Sequence, residues 1–279
     1  MKLTKPLIVT GMHRSGTTLL VQLLEKNGIF FGAHQDENKE SIFFQRINRW
    51  LVSINNSYWD NPKSFDNLKD DDNNLLILKL KQVLNSRISS SLFFGCKNFF
   101  LNRRFDNFPI QWGWKDPLNT FTLDIWRKIF PDLCIINIVR NPLDVSCSLI
   151  NRQKKLKIKD SDRINNYFNS FIPLLAINKG TIYRSFNINS IDDCLNLYKK
   201  YYNQININSR NNIKQLNIKF EKLVNNPEQE ILKIYNFCEI DDYNLNEDSK
   251  LINQNVLNKY KDSNLIYDDK LLKSISYEF

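Results

Sequence analysis

The stretch IVTGMHRSGTTLL, residues 8–20, constrains the fold more than any other part of the chain. Residues 6–10 are typical of a short buried strand, and residues 16–28 have the spacing of an amphipathic helix. Gly11 and Gly16 lie between the two, in a chain with only seven glycines. A glycine-rich turn from a strand into a helix points backbone N–H groups and the positive end of the helix dipole at one spot. We therefore predict a phosphate-binding loop; the alternative is a tight turn without a ligand.

Strand-like and helix-like segments alternate along the rest of the chain. Strands are predicted within residues 110–117, 132–140 and 213–224, with a further short strand or a loop at 29–32. Helices are predicted within residues 40–54, 75–94, 120–130, 141–152 and 226–240, a surface loop at 60–74, and mostly helical structure at 154–210. This alternation predicts a three-layer α/β fold of the P-loop type, with a mainly parallel central sheet flanked by helices. Without a visible linker or repeat, a single domain over residues 1–279 is expected.

The cysteines, histidines and apolar runs indicate the class of protein. Five scattered cysteines form no CxxC pair, which predicts small core residues in a reducing compartment. With only His13 and His34 in the chain, we expect no metal site. No apolar run approaches the roughly 20 residues that cross a bilayer, and the first is too short for a signal peptide. A cytoplasmic protein without a membrane span is therefore expected.

The net charge of +9 has two readings. Lys, Asn and Ile are abundant and Ala and Gly scarce, as a coding bias would produce. The alternative is a polyanionic ligand or nucleic acid. No aromatic residues interleave with a basic patch and no known nucleic-acid module is present, so a nucleic-acid partner is not expected.

The loop departs from that of NTP-hydrolysing enzymes. Their second glycine is followed by lysine, whereas Thr17 stands here and the nearest cation is Arg14 inside the loop. Those enzymes also need a carboxylate at the end of a neighbouring strand to organise Mg²⁺, but the strand within 132–140 ends in Arg140. An arginine there would repel the metal and attract a second phosphate. The sequence thus predicts a metal-free site for a nucleotide phosphorylated at two separate positions.

Two motifs carry a resemblance to a known family. GMHRSGTTLL resembles the 5′-phosphosulfate loop of sulfotransferases that use 3′-phosphoadenosine 5′-phosphosulfate (PAPS). VRNPLDVSCSL resembles their 3′-phosphate segment, with Arg140 followed eight residues later by Ser148. WGWKDP resembles the lysine-bearing strand end of bacterial and tyrosylprotein sulfotransferases, and DENKESIFF…WDNP a segment of bacterial sulfotransferase-like proteins. The resemblance covers residues 7–150, with weaker similarity at 218–240 to the family's late strand and helix.

The resemblance implies PAPS as co-substrate and assigns its contacts. Backbone amides and hydroxyls of the loop would wrap the 5′-phosphosulfate, and Arg140 with Ser148 would bind the 3′-phosphate. The implied nucleotide-binding set is Gly11, His13, Arg14, Ser15, Gly16, Thr17, Thr18, Arg140 and Ser148. Alternatively, Arg140 is a surface cation that pairs with Asp144, and Ser148 is an ordinary helix serine.

Catalysis of sulfuryl transfer rests on positioning and electrostatics. An acceptor oxygen attacks sulfur in line, and negative charge develops on the oxygen that bridges to the departing nucleotide. By the resemblance, Lys115 and Arg14 would meet that charge. The alternative for Lys115 is an ordinary surface lysine.

The acceptor hydroxyl also needs a general base. Related enzymes place it either as a histidine on the Lys115 strand or as a glutamate after the first helix, and no histidine lies near Lys115. The stretch HQDENKE offers four candidates: His34, Asp36, Glu37 and Glu40. Glu37 is the predicted base because it falls where the glutamate-using relatives place theirs. Asp36 and Asp116 are alternatives, and so is a solvated charge cluster that caps the next helix.

The sequence says less about the acceptor and about the stretch NQNVLNKYK, residues 253–261. The bacterial look-alikes suggest a saccharide or small-metabolite acceptor, hence glycan sulfation. The family's late basic loop over the 3′-phosphate contains glycine, which NQNVLNKYK lacks, and Lys259 or Lys261 are the possible substitutes. The competing functions are a P-loop small-molecule kinase and a catalytically inactive nucleotide-binding module.

Overall fold

A computed structural model describes most of the chain as two compact units. The described residues are 5–65, 70–101, 103–164, 184–210, 214–262 and 265–277. The first unit comprises Met1–Arg140 and Lys200–Leu257, and the second comprises Asn141–Lys199 and Asn258–Phe279. The expectation of a single domain over residues 1–279 stays a prediction.

A four-stranded parallel sheet forms the centre of the first unit. Its strands are β1 (Leu7–Thr10), β2 (Gly113–Lys115), β3 (Cys134–Val139) and β4 (Gln215–Lys219), in the order β2-β1-β3-β4. Every pairing is parallel, with Val9 opposite Lys115 and Thr10 opposite Asn137. Each of the four main predicted segments contains a strand, but residues 220–224 of the last segment are helical. Residues 29–32 supply only an isolated bridge from Phe30 to Trp112.

Helices alternate with the strands along the chain. In chain order they are α1 (Thr17–Lys26), α2 (Ile42–Ile54), α3 (Asp70–Leu84), α4 (Arg87–Phe94), α5 (Cys96–Phe100), α6 (Asn119–Ile129), α7 (Pro142–Ile164), α8 (Ile191–Ser209), α9 (Phe220–Asn225), α10 (Pro227–Cys238), α11 (Leu245–Ser249) and α12 (Asp269–Lys273). The predicted α/β fold of the P-loop type is confirmed. Among the described residues, none of the helices combines the length and apolar character that a bilayer crossing requires.

Three predictions for helices and loops differ from the structure. The single helix predicted over 75–94 is two helices, because Ser86 Oγ accepts a hydrogen bond from Ile88 N (3.1 Å) and starts α4 afresh. The predicted loop at 60–74 runs into α3, and its residues 66–69 lie outside the described part. Of the segment 154–210, the described parts are largely helical, and residues 165–183 lie outside the described part.

Alternating strand side chains build one apolar cluster on each face of the sheet. Leu7 and Val9 of β1 belong to one cluster, while Ile8 belongs to the other. The second cluster is strongly aromatic: the rings of Phe44 and Trp114 stack with centroids 4.0 Å apart. Trp50 of α2 lies outside both clusters and is 41% exposed.

The cysteines mostly follow expectation. Cys134, Cys194 and Cys238 are buried free thiols, Cys147 is half-buried, and Cys96 is exposed rather than in the core. The cytoplasmic location stays a prediction.

Asn48 of α2 is a buried polar hub inside the aromatic cluster. Its Nδ2 donates to Asp116 Oδ2 (2.9 Å) and Asn119 Oδ1 (2.8 Å). Its Oδ1 accepts from Thr122 Oγ1 and Trp126 Nε1, both at 2.9 Å. One side chain therefore ties α2 to the end of β2 and to α6.

In the second unit, the start of α7 is as predicted. Asn141 Oδ1 accepts from the amides of Leu143 (2.9 Å) and Asp144 (3.4 Å), and Pro142 is the first helical residue. The Asp144 carboxylate also accepts from the amide of Asn258 (3.0 Å), which fastens residues after 257 to the beginning of α7.

We expect Asn48→Ala to lower the free energy of unfolding by roughly 3 kcal/mol, because the buried partners of Asn48 would lose their hydrogen bonds. Urea unfolding of the variant and wild type measures the difference. Asn236→Ala on the exposed face of α10 is the control and should change stability by less than about 0.5 kcal/mol. Equal effects of the two substitutions would contradict the hub.

Candidate active site

The loop Gly11–Gly16 is packed so closely that only glycine fits at its two ends. Gly11 has φ of 143° and Gly16 has φ of 102°, in the region that favours glycine. A Cβ on Gly11 would lie 2.4 Å from the carbonyl oxygen of Ile138, and one on Gly16 would lie 2.3 Å from the Phe220 ring. The loop is therefore clamped between the end of β3 and α9.

The loop combines an exposed cation with a helix end suited to an anion. Arg14 is exposed and has φ of 71°, which turns the backbone into the left-handed region. The amide and the Oγ of Ser15 both donate to Met12 O, at 3.2 and 2.7 Å. Among the described residues no side chain caps α1, because its N-cap is Gly16, and buried Thr17 begins the helix. The first-turn N–H groups and the helix dipole thus favour an anion here.

His13 lies beside two aromatic residues that sequence reasoning missed. Its ring centroid is 5.0 Å from that of Trp59 and 6.4 Å from that of Tyr201. The Tyr201 hydroxyl donates to Trp59 O (3.0 Å). Burial, with the charges of Asp116 and Glu40 among others, raises the pKa of Tyr201 well above its usual value. Tyr201 therefore stays a neutral hydroxyl close to the loop.

Arg140, which follows β3, lies against the same loop as Arg14. Its Nη2 donates to Val256 O (2.6 Å) and its Nη1 to Arg14 O (3.5 Å). Its guanidinium lies 4.7 Å from the centroid of the Phe220 ring. Arg140 thus joins the loop, α9 and the late stretch NQNVLNKYK, whose Val256 reaches it through a carbonyl.

Three predicted site residues belong to the second unit. Ser148 is half-buried on α7, and Lys259 and Lys261 lie in a short 3₁₀ turn after residue 258. Their participation in a site with the loop stays a prediction.

Lys115, at the end of β2, is not a surface lysine. Its side chain is 2% exposed, and its Nζ donates to Glu40 Oε1 (3.0 Å) and to Asn38 O (2.7 Å). The same Asn38 carbonyl accepts from Thr18 Oγ1 (3.1 Å) in the first turn of α1. Lys115 is therefore linked to the beginning of α1 through Asn38.

The turn 36–40 decides which candidate carboxylate meets Lys115. Asp36 shapes the turn, because its Oδ1 accepts from the amides of Asn38 and Glu40, both at 2.9 Å. Glu40 is buried, and its second oxygen accepts from Gln45 Nε2 (2.8 Å). Glu37 is exposed on the same turn. The structure thus places Glu40, and not the predicted base Glu37, against Lys115.

Asp116 is buried directly behind this ion pair. Its carboxylate accepts from Asn48 Nδ2 and from the Leu118 amide, each at 2.9 Å. Burial, reinforced by the charge of Glu40, raises the pKa of Asp116 from 3.8 to about 7, although these hydrogen bonds oppose the rise. Asp116 therefore changes protonation state near neutral pH.

These groups define a class of protein: a parallel α/β fold with a glycine-rich loop after the first strand, flanked by an arginine and a buried lysine. The family described as "Sulfotransferase family" matches residues 6–164, more than half of the chain. The "Sulfotransferase domain" matches residues 117–276. The chain belongs to the sulfotransferase family, and its reaction class is sulfuryl transfer.

Solved structures agree on the fold. The sulfotransferase domain from the curacin biosynthetic pathway is 15% identical with a TM-score of 0.54, covering 100% of this chain and 99% of that one. The sulfotransferase domain from the Synechococcus PCC 7002 olefin synthase is 14% identical with a TM-score of 0.50, covering 100% and 98%. At these identities the similarity shows the fold alone. Comparison with curated proteins finds no match.

The raised pKa of Asp116 predicts a pH-dependent stability that Asp116→Asn should remove. The folded state holds the proton up to about pH 7, whereas the carboxyl of the unfolded chain releases it near 3.8. The free energy of unfolding of wild type relative to Asp116→Asn should therefore fall as pH rises from about 4 to 7 and level off above.

Urea titrations at several pH values measure this difference. Asp241→Asn, at an exposed carboxylate, is the control, and wild type relative to it should lack the fall. If the free energy of unfolding of wild type relative to Asp116→Asn stays constant over this pH range, Asp116 ionises normally and the prediction is wrong.

Proposed function

We propose that the chain transfers a sulfuryl group in line from PAPS to the hydroxyl of a saccharide or small metabolite, without a metal ion. The observation that carries the proposal is the row of strand ends β2-β1-β3, which aligns Lys115, the loop Gly11–Gly16 and Arg140. A donor with one anionic group at the loop and another beside Arg140 suits this row.

The residues around the loop fit such a nucleotide. The uncapped start of α1, the exposed Arg14 and the loop amides suit the 5′ end of the donor. Arg140 lies beside the loop and would take the 3′-phosphate, with Ser148 as its proposed partner. PAPS supplies a sulfuryl group attached to a phosphate that departs as a stable anion.

Three features argue against the kinase alternative. The loop has Thr17 where a kinase of this fold would place lysine, and the residue directly after β3 is a cation, Arg140. The one carboxylate that follows β2, Asp116, is engaged by Asn48 and by the Leu118 amide. Because its burial also favours the protonated form, Asp116 is a poor ligand for Mg²⁺.

We assign Lys115 to the leaving group. As the sulfur–oxygen bond to the nucleotide breaks, its electron pair stays on the phosphate oxygen, and a nearby cation lowers the energy of that charge. Lys115 is buried and held by Glu40 and Asn38, so its ammonium group is already positioned and little of it is in water. Arg14 adds a second positive charge from the loop.

We assign Glu40 as the base. As the acceptor oxygen forms its bond to sulfur, its proton must pass to a nearby group. Glu40 is buried beside Lys115, whereas Glu37 is exposed, so Glu40 is already part of the site. The half-buried Trp59 beside His13 provides an aromatic wall for a sugar or other ring-shaped acceptor.

Transfer of ³⁵S from labelled PAPS tests the reaction. Wild type in the presence of EDTA should label a hydroxyl acceptor from a panel of simple sugars and phenols, with water as the reference acceptor. Labelling that requires Mg²⁺, or none with any acceptor while ATP is consumed, would contradict a metal-free sulfuryl transfer.

Matched variants identify the base. Glu40→Gln keeps an oxygen for Lys115 but cannot take a proton, so kcat should fall by roughly 10² to 10⁴, with the affinity for the product nucleotide little changed. Glu37→Gln is the control on the same turn and should retain turnover. If Glu37→Gln loses activity and Glu40→Gln keeps it, the original prediction of Glu37 is right and Glu40 only positions Lys115.

A further inference from the structure

A continuous stretch of 33 residues, 73–105, contains no aspartate or glutamate. It covers most of α3, all of α4 and α5, and the residues that follow. Its cations are Lys79, Lys81, Arg87, Lys97, Arg103 and Arg104. We call the exposed side chains of this stretch the 73–105 surface, which the exposed Asp71 and Asp72 border at one end and the exposed Asp106 at the other.

The same surface exposes large apolar side chains. They are Leu75, Leu78, Ile88, Leu92, Phe100 and Leu101. Their exposure runs from 52% for Leu92 to 85% for Phe100. Isolated exposed apolar residues are normal on proteins, but six within 27 residues single out this stretch as the candidate contact surface of the described chain.

Helix α4 exposes aliphatic side chains although its other side is well packed. Ile88 and Leu92, one turn apart, point outward, while Ser89 and Ser90 are buried. The helix also buries Phe93 and Phe94, so its core-facing side is apolar as expected. Ile88 and Leu92 therefore form a second apolar side of α4, which no described residue of the core covers.

A cavity of about 320 Å³ adjoins this surface. Lys81, Arg104 and Lys5 line it together with Leu84 and Phe105, and its carboxylates are Asp106 and Asp132. The Nε of Arg104 is buried and has no hydrogen-bond acceptor among the described residues. The cavity therefore offers apolar walls and an excess of positive charge to one anionic group.

The cavity and the candidate active site lie at opposite ends of the strands. Lys5 precedes β1 and Asp132 precedes β3, so the cavity lies at the amino edge of the sheet. The loop Gly11–Gly16 lies at the carboxyl edge. A partner at the cavity would leave the active site open.

We propose that the 73–105 surface docks on an anionic lipid bilayer. The apolar side chains enter the boundary between head groups and acyl chains, and the lysines and arginines contact the anionic head groups. The cavity takes one head group between Lys5, Lys81 and Arg104.

The charge and the apolar side chains of the 73–105 surface argue against a second copy of the chain and against a nucleic acid as its partner. A second copy of the chain would bring six cations from each surface face to face, with only the bordering Asp71, Asp72 and Asp106 of each copy to pair them. A nucleic acid would satisfy the cations but would leave six large apolar side chains in water. An anionic bilayer satisfies both components at once.

Vesicle flotation of the full chain tests the proposal. The chain should float with phosphatidylcholine vesicles that contain phosphatidylglycerol, much less with phosphatidylcholine alone, and less as NaCl is raised. The double variants Ile88→Ser with Leu92→Ser, and Arg87→Gln with Lys97→Gln, should each partition at least roughly tenfold more weakly.

Matched controls change the same chemistry elsewhere. Ile207→Ser with Leu251→Ser removes two exposed apolar side chains, and Lys154→Gln with Lys155→Gln removes two exposed lysines. Both should float like wild type, and circular dichroism and sedimentation velocity check folding and association state. Absent flotation, or equal losses in test and control variants, would overturn the proposal. A wild-type dimer that Ile88→Ser with Leu92→Ser dissociates would show that a second copy covers the surface instead.

Discussion

Parallel pairing of β1 with both β2 and β3 is the constraint on which the site depends. Parallel neighbours end at the same edge of a sheet, so the residues that follow three strands become neighbours although they are far apart in sequence. The loop Gly11–Gly16 is in the middle, Lys115 is on one side and Arg140 is on the other. The close fit of both glycines against Ile138 and Phe220 then fixes the loop on this edge.

The buried pair of Lys115 and Glu40 gives the site its electrostatic character. Two buried opposite charges are costly to desolvate and are retained only with good geometry and further hydrogen bonds, which Asn38 and Gln45 supply here. Such a pair adds little to the free energy of unfolding, but it holds both side chains in a defined geometry. In the proposed reaction the same two groups act on opposite ends of the transfer, one on the leaving oxygen and one on the acceptor proton.

The sequence predicted the parts of the site that depend on local patterns. Rare glycines between a strand and a helix marked the loop, and a cation directly after a buried strand marked Arg140. Local patterns could not show that Glu40, rather than Glu37, contacts Lys115, because this depends on the turn that Asp36 holds with its side-chain hydrogen bonds. The role of Asn48 as a hydrogen-bonding hub could not be predicted either. Its partners lie 68 to 78 residues away in sequence, and asparagine is too abundant in this chain for one of them to stand out.

Calorimetry with 3′-phosphoadenosine 5′-phosphate, adenosine 5′-phosphate and ATP·Mg²⁺ tests the central claim most directly, namely that one nucleotide is held at both the loop and Arg140. Without metal, wild type should bind the doubly phosphorylated nucleotide at least roughly tenfold more tightly than either of the others. Arg140→Gln should erase the preference over adenosine 5′-phosphate while leaving the affinity for that nucleotide nearly unchanged. Preference for ATP·Mg²⁺, or an equal loss of both adenosine phosphates in Arg140→Gln, would contradict the account.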